Sequence, residues 1–224
     1  MTLKKNNLLE NKKNNSITGY QIAIIYMYFY SYLISELQYL FKLNYVIFYW
    51  LSFTILNCCG SIYYIKNKKN IRSYSDYLLS KKKHVWNQKY YLKILLPSNF
   101  LKIFYSEYAA YADREYKRVH NYSSQLIDVH NSILCSLFAI FAIYNIYKEQ
   151  LKNFYISITI SMCLQLMRNI QYMCYYNIQK NNKNSINYDT NDFPCGKYLI
   201  KRPFIYINLL SIIMPIYILL LIFD

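Results

Sequence analysis

The sequence predicts an all-α, polytopic membrane helical bundle with about five transmembrane helices and an amphipathic surface helix before the third. Three observations predict it. First, 55% of the 224 residues are hydrophobic, against roughly 45–50% in an ordinary soluble domain. Second, five stretches approach the about 20 mostly apolar residues that a helix needs to cross a bilayer core. Third, the chain is strongly basic, with 26 Lys+Arg against 11 Asp+Glu and a formal net charge of +15. Its cations collect between the apolar stretches rather than within them, as in membrane proteins with charged loops.

Residues 1–16 are rich in Lys and Asn and are expected to be a disordered basic tail; 17–224 then form a single transmembrane domain. Span 17–41, with Glu36 near its end, is longer than the apolar region of a signal peptide and has no small-residue cleavage site after it, so it reads as a retained helix. Span 45–65 contains Trp50, Asn57, Gly60 and Ser61. The segment 66–123 carries thirteen Lys or Arg, with runs at 66–72 and 81–83 that suit anionic headgroups. Within it, Phe100-Leu101-Lys102-Ile103-Phe104-Tyr105 followed by Glu107-Tyr108-Ala109-Ala110-Tyr111 reads as the amphipathic surface helix. Span 126–147 opens on Ile127-Asp128-Val129-His130. Span 154–176 is interrupted by Gln165, Arg168, Asn169 and Gln171, so one side of it must face protein or water. Span 204–223 holds Asn208 and Pro215, and the proline is expected to kink it and free a carbonyl. With five spans, the tail, 66–123 and the basic loop 177–202 share one side, which the positive-inside rule makes cytoplasmic; the C-terminus lies opposite.

Polar groups in a bilayer core are costly, so each needs a reason. Asp128 and Arg168 are the sharpest cases. They read either as a pair that fixes helix packing or as a carboxyl group poised in a dry cavity, its pKa raised by desolvation. Asn57, Gln165, Asn169 and Asn208 can each hydrogen-bond across helices, at about 0.6 kcal/mol apiece; together they suggest a polar-lined cavity inside an aromatic bundle. The histidines do not extend this set. His84 lies in the basic loop, His120 precedes the third span, and His130 is about 200° around the helix from Asp128. Three glycines, with no GxGxxG or P-loop pattern, argue against phosphate cradles. The six cysteines contain no CxxC and no zinc spacing with histidine. No metal and no cofactor are expected. The cations have no RNP, zinc-finger or helix-turn-helix context, so no nucleic acid is expected either.

Taken in order, these motifs resemble the emopamil-binding protein family, the sterol Δ8–Δ7 isomerases that share the EXPERA membrane domain. The likeness covers about residues 100–224, and 17–65 by layout alone. Phe100-Leu101, Glu107-Tyr108-Ala109-Ala110 and Asp113-Arg114-Glu115-Tyr116 are similar to the family's FL, EYAKGD and RY-type stretch, with one extra residue. Ile127-Asp128-Val129 stands where the family has Met-Glu-Thr, and Gln165-Leu166-Met167-Arg168-Asn169-Ile170-Gln171-Tyr172 resembles its QIYGDVLY segment. Asn208 and Pro215 match the Asn and Pro spacing of the family's last span.

The resemblance implies an intramembrane cavity for a sterol, another lipid or a cationic amphiphile, in the endoplasmic reticulum. It implies a ring double bond moved by protonation and deprotonation, with the carbocation held by aromatic faces and carboxylates. It gives catalytic roles to Asp128, as acid/base group, and to Asn208, which positions substrate or stabilises charge. Asn57, Ser61, Gln165, Asn169, Tyr172 and Ser211 become ligand-binding residues, with Arg168 and Pro215 structural. The chain also departs from the family. The family's His-x-x-x-Glu on the second span falls at Asn57 and Ser61, its last-span Trp at Ser211, and its fourth-span Asp at Asn169. Enzymatic activity is therefore left open between a sterol isomerase and a non-catalytic lipid-binding EXPERA protein. A small transporter or structural membrane protein is the third reading, and a homodimer is left open.

Overall fold

The first helix starts with a capping box. The Thr18 hydroxyl accepts the Gln21 amide N–H at 3.3 Å, and the Gln21 side chain accepts the Thr18 N–H at 2.9 Å, so two backbone donors at the helix start are satisfied reciprocally. The computed structural model describes residues 16–112, 114, 122–179, 181–185 and 203–224, with the helical backbone alone at 122–128, 176, 203 and 204. The basic tail before residue 16, His120 and most of the 177–202 loop lie outside the described residues, as does the Asp128 side chain.

The elements run β1 (Ile17–Thr18), α1 (Gly19–Phe41), α2 (Tyr45–Lys81), β2 (Lys89–Tyr90), α3 (Pro97–Glu107), α4 (Tyr122–Tyr147), α5 (Leu151–Gln179) and α6 (Pro203–Phe223). Short 3-10 turns occupy Val85–Asn87 and Leu92–Leu95, and a π turn, Tyr108–Ala112, extends α3. Among the described residues, three helical segments are long and apolar enough to cross a membrane: α2, Val129–Tyr147 of α4, and Ile205–Phe223 of α6. The fold is thus all-α and of membrane type. Helices α1 and α5 match the first and fourth expected spans in position, but tyrosines dilute the one and amides the other.

Helix α2 differs most from expectation. Its 37 residues rise about 55 Å, against about 30 Å of hydrocarbon. The apolar stretch ends at Ile65, and the helix continues through the cations at 66–72 because Ile71, Tyr74 and Leu78 on that extension are buried.

Contacts divide the chain into two compact units, Met1–Tyr30 with Tyr63–His120 and Ser31–Ile62 with Asn121–Asp224. In the first, β1 pairs antiparallel with β2, Ile17 opposite Tyr90 and Thr18 opposite Lys89. A core of Ile22, Tyr74, Leu78, Val85, Tyr90, Ile94, Ile103 and Ala110 forms around them, so much of the basic segment is folded. Gly19 is required here: a Cβ would stand 2.4 Å from the Val85 carbonyl oxygen and 2.7 Å from Trp86 Cα. The expected amphipathic helix is α3; it turns Ile103 and Ser106 into this unit, and its last residue, Glu107, is a clamp. One carboxylate oxygen lies 2.6 Å from His84 Nδ1, and the other accepts the Val85 N–H at 3.0 Å.

In the second unit α5 packs against both α4 and α6. Small side chains line the buried stripe of α4 (Ser132, Cys135, Ser136, Ala139, Ala142), which lets helix backbones approach closely where no hydrophobic drive exists between them. Phe154, Ser157, Ile158, Ser161, Met162, Gln165 and Asn169 form the buried stripe of α5.

Candidate functional site

A helix inserted in lipid satisfies its own backbone, so side-chain polar groups decide where helices meet. On α5 they recur every four residues, at Ser157, Ser161, Gln165 and Asn169, and this spacing puts all four on one face. That face forms a polar seam. The Gln165 amide sits at its centre: its oxygen accepts the Trp50 indole N–H at 3.0 Å, and its nitrogen donates to the Thr54 hydroxyl at 3.0 Å and the Ser161 hydroxyl at 3.4 Å. Thr54 donates in turn to the Trp50 carbonyl, Ser161 to the Cys135 carbonyl, and Ser136 to the Thr54 carbonyl. Nearer the hairpin between α4 and α5, Asn145 donates to the Ser157 hydroxyl at 3.2 Å. Two amides, four hydroxyls and an indole N–H thereby tie α2, α4 and α5 together.

One turn further on, Asn169 donates to the Ser211 carbonyl of α6 at 2.8 Å. The acceptor has a covalent cause. In an α-helix the 211 carbonyl takes its proton from residue 215, and residue 215 is a proline, which has no N–H. Helix α6 nevertheless runs on through Pro215 to Phe223. The carbonyl that the proline frees is therefore met by an amide from the neighbouring helix. The Ser211 hydroxyl turns back to the Ile207 carbonyl at 2.8 Å.

The structure thus brings together Asn169, Ser211 and Pro215, and gathers Gln165 with Trp50, Thr54 and Ser161. Arg168 extends from α5 to the Ser132 hydroxyl at 2.7 Å, one turn after Asp128 on α4. Asn57 and Ser61 are half-buried on α2, where Ser61 donates to the Asn57 carbonyl at 3.0 Å. Tyr172 and Asn208 are half-buried on α5 and α6, each three residues from the Asn169–Ser211 bond. Sequence reading missed Thr54, Ser132, Ser136 and Ser161, and named Trp50 in the second span without its hydrogen bond. The fourfold spacing of polar residues on α5 carried the signal for Ser161, whereas the partners on α2 and α4 become visible only when helices meet. Chemically, the seam is made of amides, hydroxyls and an indole N–H, groups that bind and orient but do not transfer protons near neutral pH.

No family model, curated protein or solved structure matches this chain.

Proposed function

We propose that the chain is a five-span membrane protein that binds a sterol or related lipid among its helices without isomerising it. Connectivity supports five spans. Ile17 pairs with Tyr90, so α1 begins at the end of α2 from which the chain emerges; if α2 crosses, α1 crosses in the opposite direction. Helix α5 returns along α4 after a three-residue turn, meeting it at Asn145–Ser157, Cys135–Ser161 and Ser132–Arg168. This pairing supports the same depth for α5 as for α4. Its polarity does not oppose this, because the large exposed side chains on its outer face include Tyr155, Ile156, Met167 and Ile170.

The observation that carries the binding reading is the hydrogen-bonded state of Gln165: its acceptor and both donors are used within the protein, in a seam that has no carboxyl or imidazole group among the described residues. Proton addition and removal at a ring carbon each call for a tuned acid or base, and the family's second-span pair is replaced by Asn57 and Ser61. The sterol itself comes from the motif resemblance. A second reading, a sterol isomerase with Asp128 as acid/base group and Asn208 positioning substrate, draws support from Arg168, which reaches α4 one turn from Asp128.

Purified protein in nanodiscs, given a Δ8 sterol and separately a cationic amphiphile, discriminates these readings. Saturable binding with no Δ7 product is the expected result. Product that disappears in Asp128→Asn moves the assignment to the isomerase, and absence of saturable binding overturns both.

A further inference from the structure

The turn after β2 combines features that a water-facing loop does not need. Tyr91, Leu92 and Leu96 are 43%, 57% and 56% exposed, although Tyr90 and Ile94 between and beside them are fully buried. Lys89 and Lys93 are exposed among them. The backbone is held firmly. Ile94 N–H donates to the Tyr91 carbonyl at 2.9 Å, Leu96 N–H to the Lys93 carbonyl at 3.2 Å, and the Asn99 amide to the same Lys93 carbonyl at 2.8 Å. Pro97 then sets the first turn of α3. Two tyrosines fix where the turn sits. The Tyr26 hydroxyl of α1 donates to the Leu95 carbonyl at 2.7 Å, and the Tyr63 hydroxyl of α2 donates to the Ser98 carbonyl at 2.6 Å. Tyr63 marks the end of the apolar part of α2, three residues before the first cation of the 66–72 run. Around Tyr26, α1 exposes Ile24, Ile25, Met27, Tyr28 and Phe29.

We propose that residues 89–96 form a preorganised membrane-interface anchor. Tyr91, Leu92 and Leu96 enter the boundary between headgroups and acyl chains, while Lys89 and Lys93 engage anionic lipid phosphates. The argument rests on the chain being a membrane protein, and it goes beyond that reading by assigning a second lipid contact outside the spans. Charge selects a lipid surface over an apolar protein partner: two lysines interleave the apolar side chains, their stems lying along that surface and their ammonium groups reaching phosphate level. Aromatic residues with a polar tip are suited to the same layer. The turn is closed by its own hydrogen bonds, so little ordering entropy opposes insertion.

The full chain is reconstituted in vesicles with and without anionic lipid, carrying Leu92→Trp or Leu96→Trp and read against the unsubstituted chain. Lipids bearing a nitroxide near the headgroup or at the acyl end report depth. Both added indoles are expected to show blue-shifted emission and stronger quenching by the shallow label. Ile213→Trp in α6 serves as the control, quenched most by the deep label. Water-like, unquenched emission at 92 and 96 with a quenched 213 overturns the anchor and leaves the membrane reading standing; loss of quenching at all three overturns both. A blue shift that grows with protein-to-lipid ratio but is insensitive to nitroxide lipid assigns the turn to a second copy and overturns the proposal. On the Leu92→Trp chain, Lys89→Gln with Lys93→Gln should abolish the difference between anionic and neutral vesicles; a difference that survives removes the phosphate contact.

Discussion

The bond from Asn169 to the Ser211 carbonyl answers a vacancy that Pro215 creates in the next helix. Removing the amide leaves a carbonyl unmet in an apolar interior, at a cost of about 1–3 kcal/mol. Asn169→Ala should therefore lower the thermal unfolding midpoint in detergent. Pro215→Ala should restore the backbone donor, so the same Asn169→Ala change costs distinctly less on that background. Equal costs on both backgrounds would show that the amide acts through something other than the proline. Lys102 gives a second residue-scale test. Its ammonium lies 5.7 Å from the Tyr74 ring centre, and burial pushes its pKa below the usual lysine value. The folded state thus holds the proton less tightly than the unfolded chain, so the charged form opposes folding below the folded pKa. Stability should rise with pH as it climbs from there to about 10.5. Lys102→Met should stabilise the protein at neutral pH, and the advantage should fade on approach to that limit, as read by midpoints across pH. Asn169 and Pro215 stood out in the sequence because lipid makes polar groups and helix-interior prolines conspicuous, whereas Ser211 was singled out by the motif resemblance alone. Their mutual contact did not stand out, since it depends on how α5 and α6 are rotated against each other.

Helix boundaries were more legible than helix roles. The expected spans 17–41 and 45–65 begin within two residues of α1 and at the start of α2, where the capping box at Thr18 and Gln21 and the Asn44 side chain, accepting the Val46 N–H at 2.9 Å, set the first turns. The expected ends at 41 and 147 are also those of α1 and α4, although the punctuation there is unusual for so glycine-poor a chain. Helices α1, α2 and α4 end on Lys42, Lys82 and Glu149, all with left-handed φ of 50°, 50° and 58°, where glycine is the common choice. At Glu149 the N–H donates to the Ile146 carbonyl and the following Gln150 N–H to the Asn145 carbonyl, at 3.0 and 2.8 Å, which closes α4 and starts the return into α5. A side chain in this conformation is worth about 1 kcal/mol of strain. Glu149→Gly is expected to raise the unfolding midpoint, and a fall would mean that the carboxylate itself supports the turn. The long continuation of α2 was hidden, because its cations look like loop residues until Ile71, Tyr74 and Leu78 are seen to be buried beneath them.

At the scale of the whole molecule, membrane topology separates five crossings from three. Five put the N-terminus and the 82–84 turn on one side and the C-terminus on the other. Crossing by α2, α4 and α6 alone puts the 82–84 turn and the C-terminus together, with the N-terminus opposite. Epitope tags at the three positions, probed by protease protection in sealed vesicles, should give the five-crossing pattern. The charge asymmetry and the apolar stretches were enough to predict a helical membrane protein from residues alone, whereas the small-residue stripe of α4 and the saturated seam on α5 required coordinates. If α5 is a span, as proposed, its polar side chains bear on biogenesis. Presented singly to the insertion machinery, a segment containing Gln165, Arg168 and Asn169 partitions poorly, since one arginine near mid-membrane costs about 2.5–3.5 kcal/mol on insertion scales. Joined to α4 by three residues, it can enter as half of a hairpin whose hydrophilic faces are already turned toward each other. The ribosome-bound chain would then have to hold α4 back from lateral release until its follower has emerged.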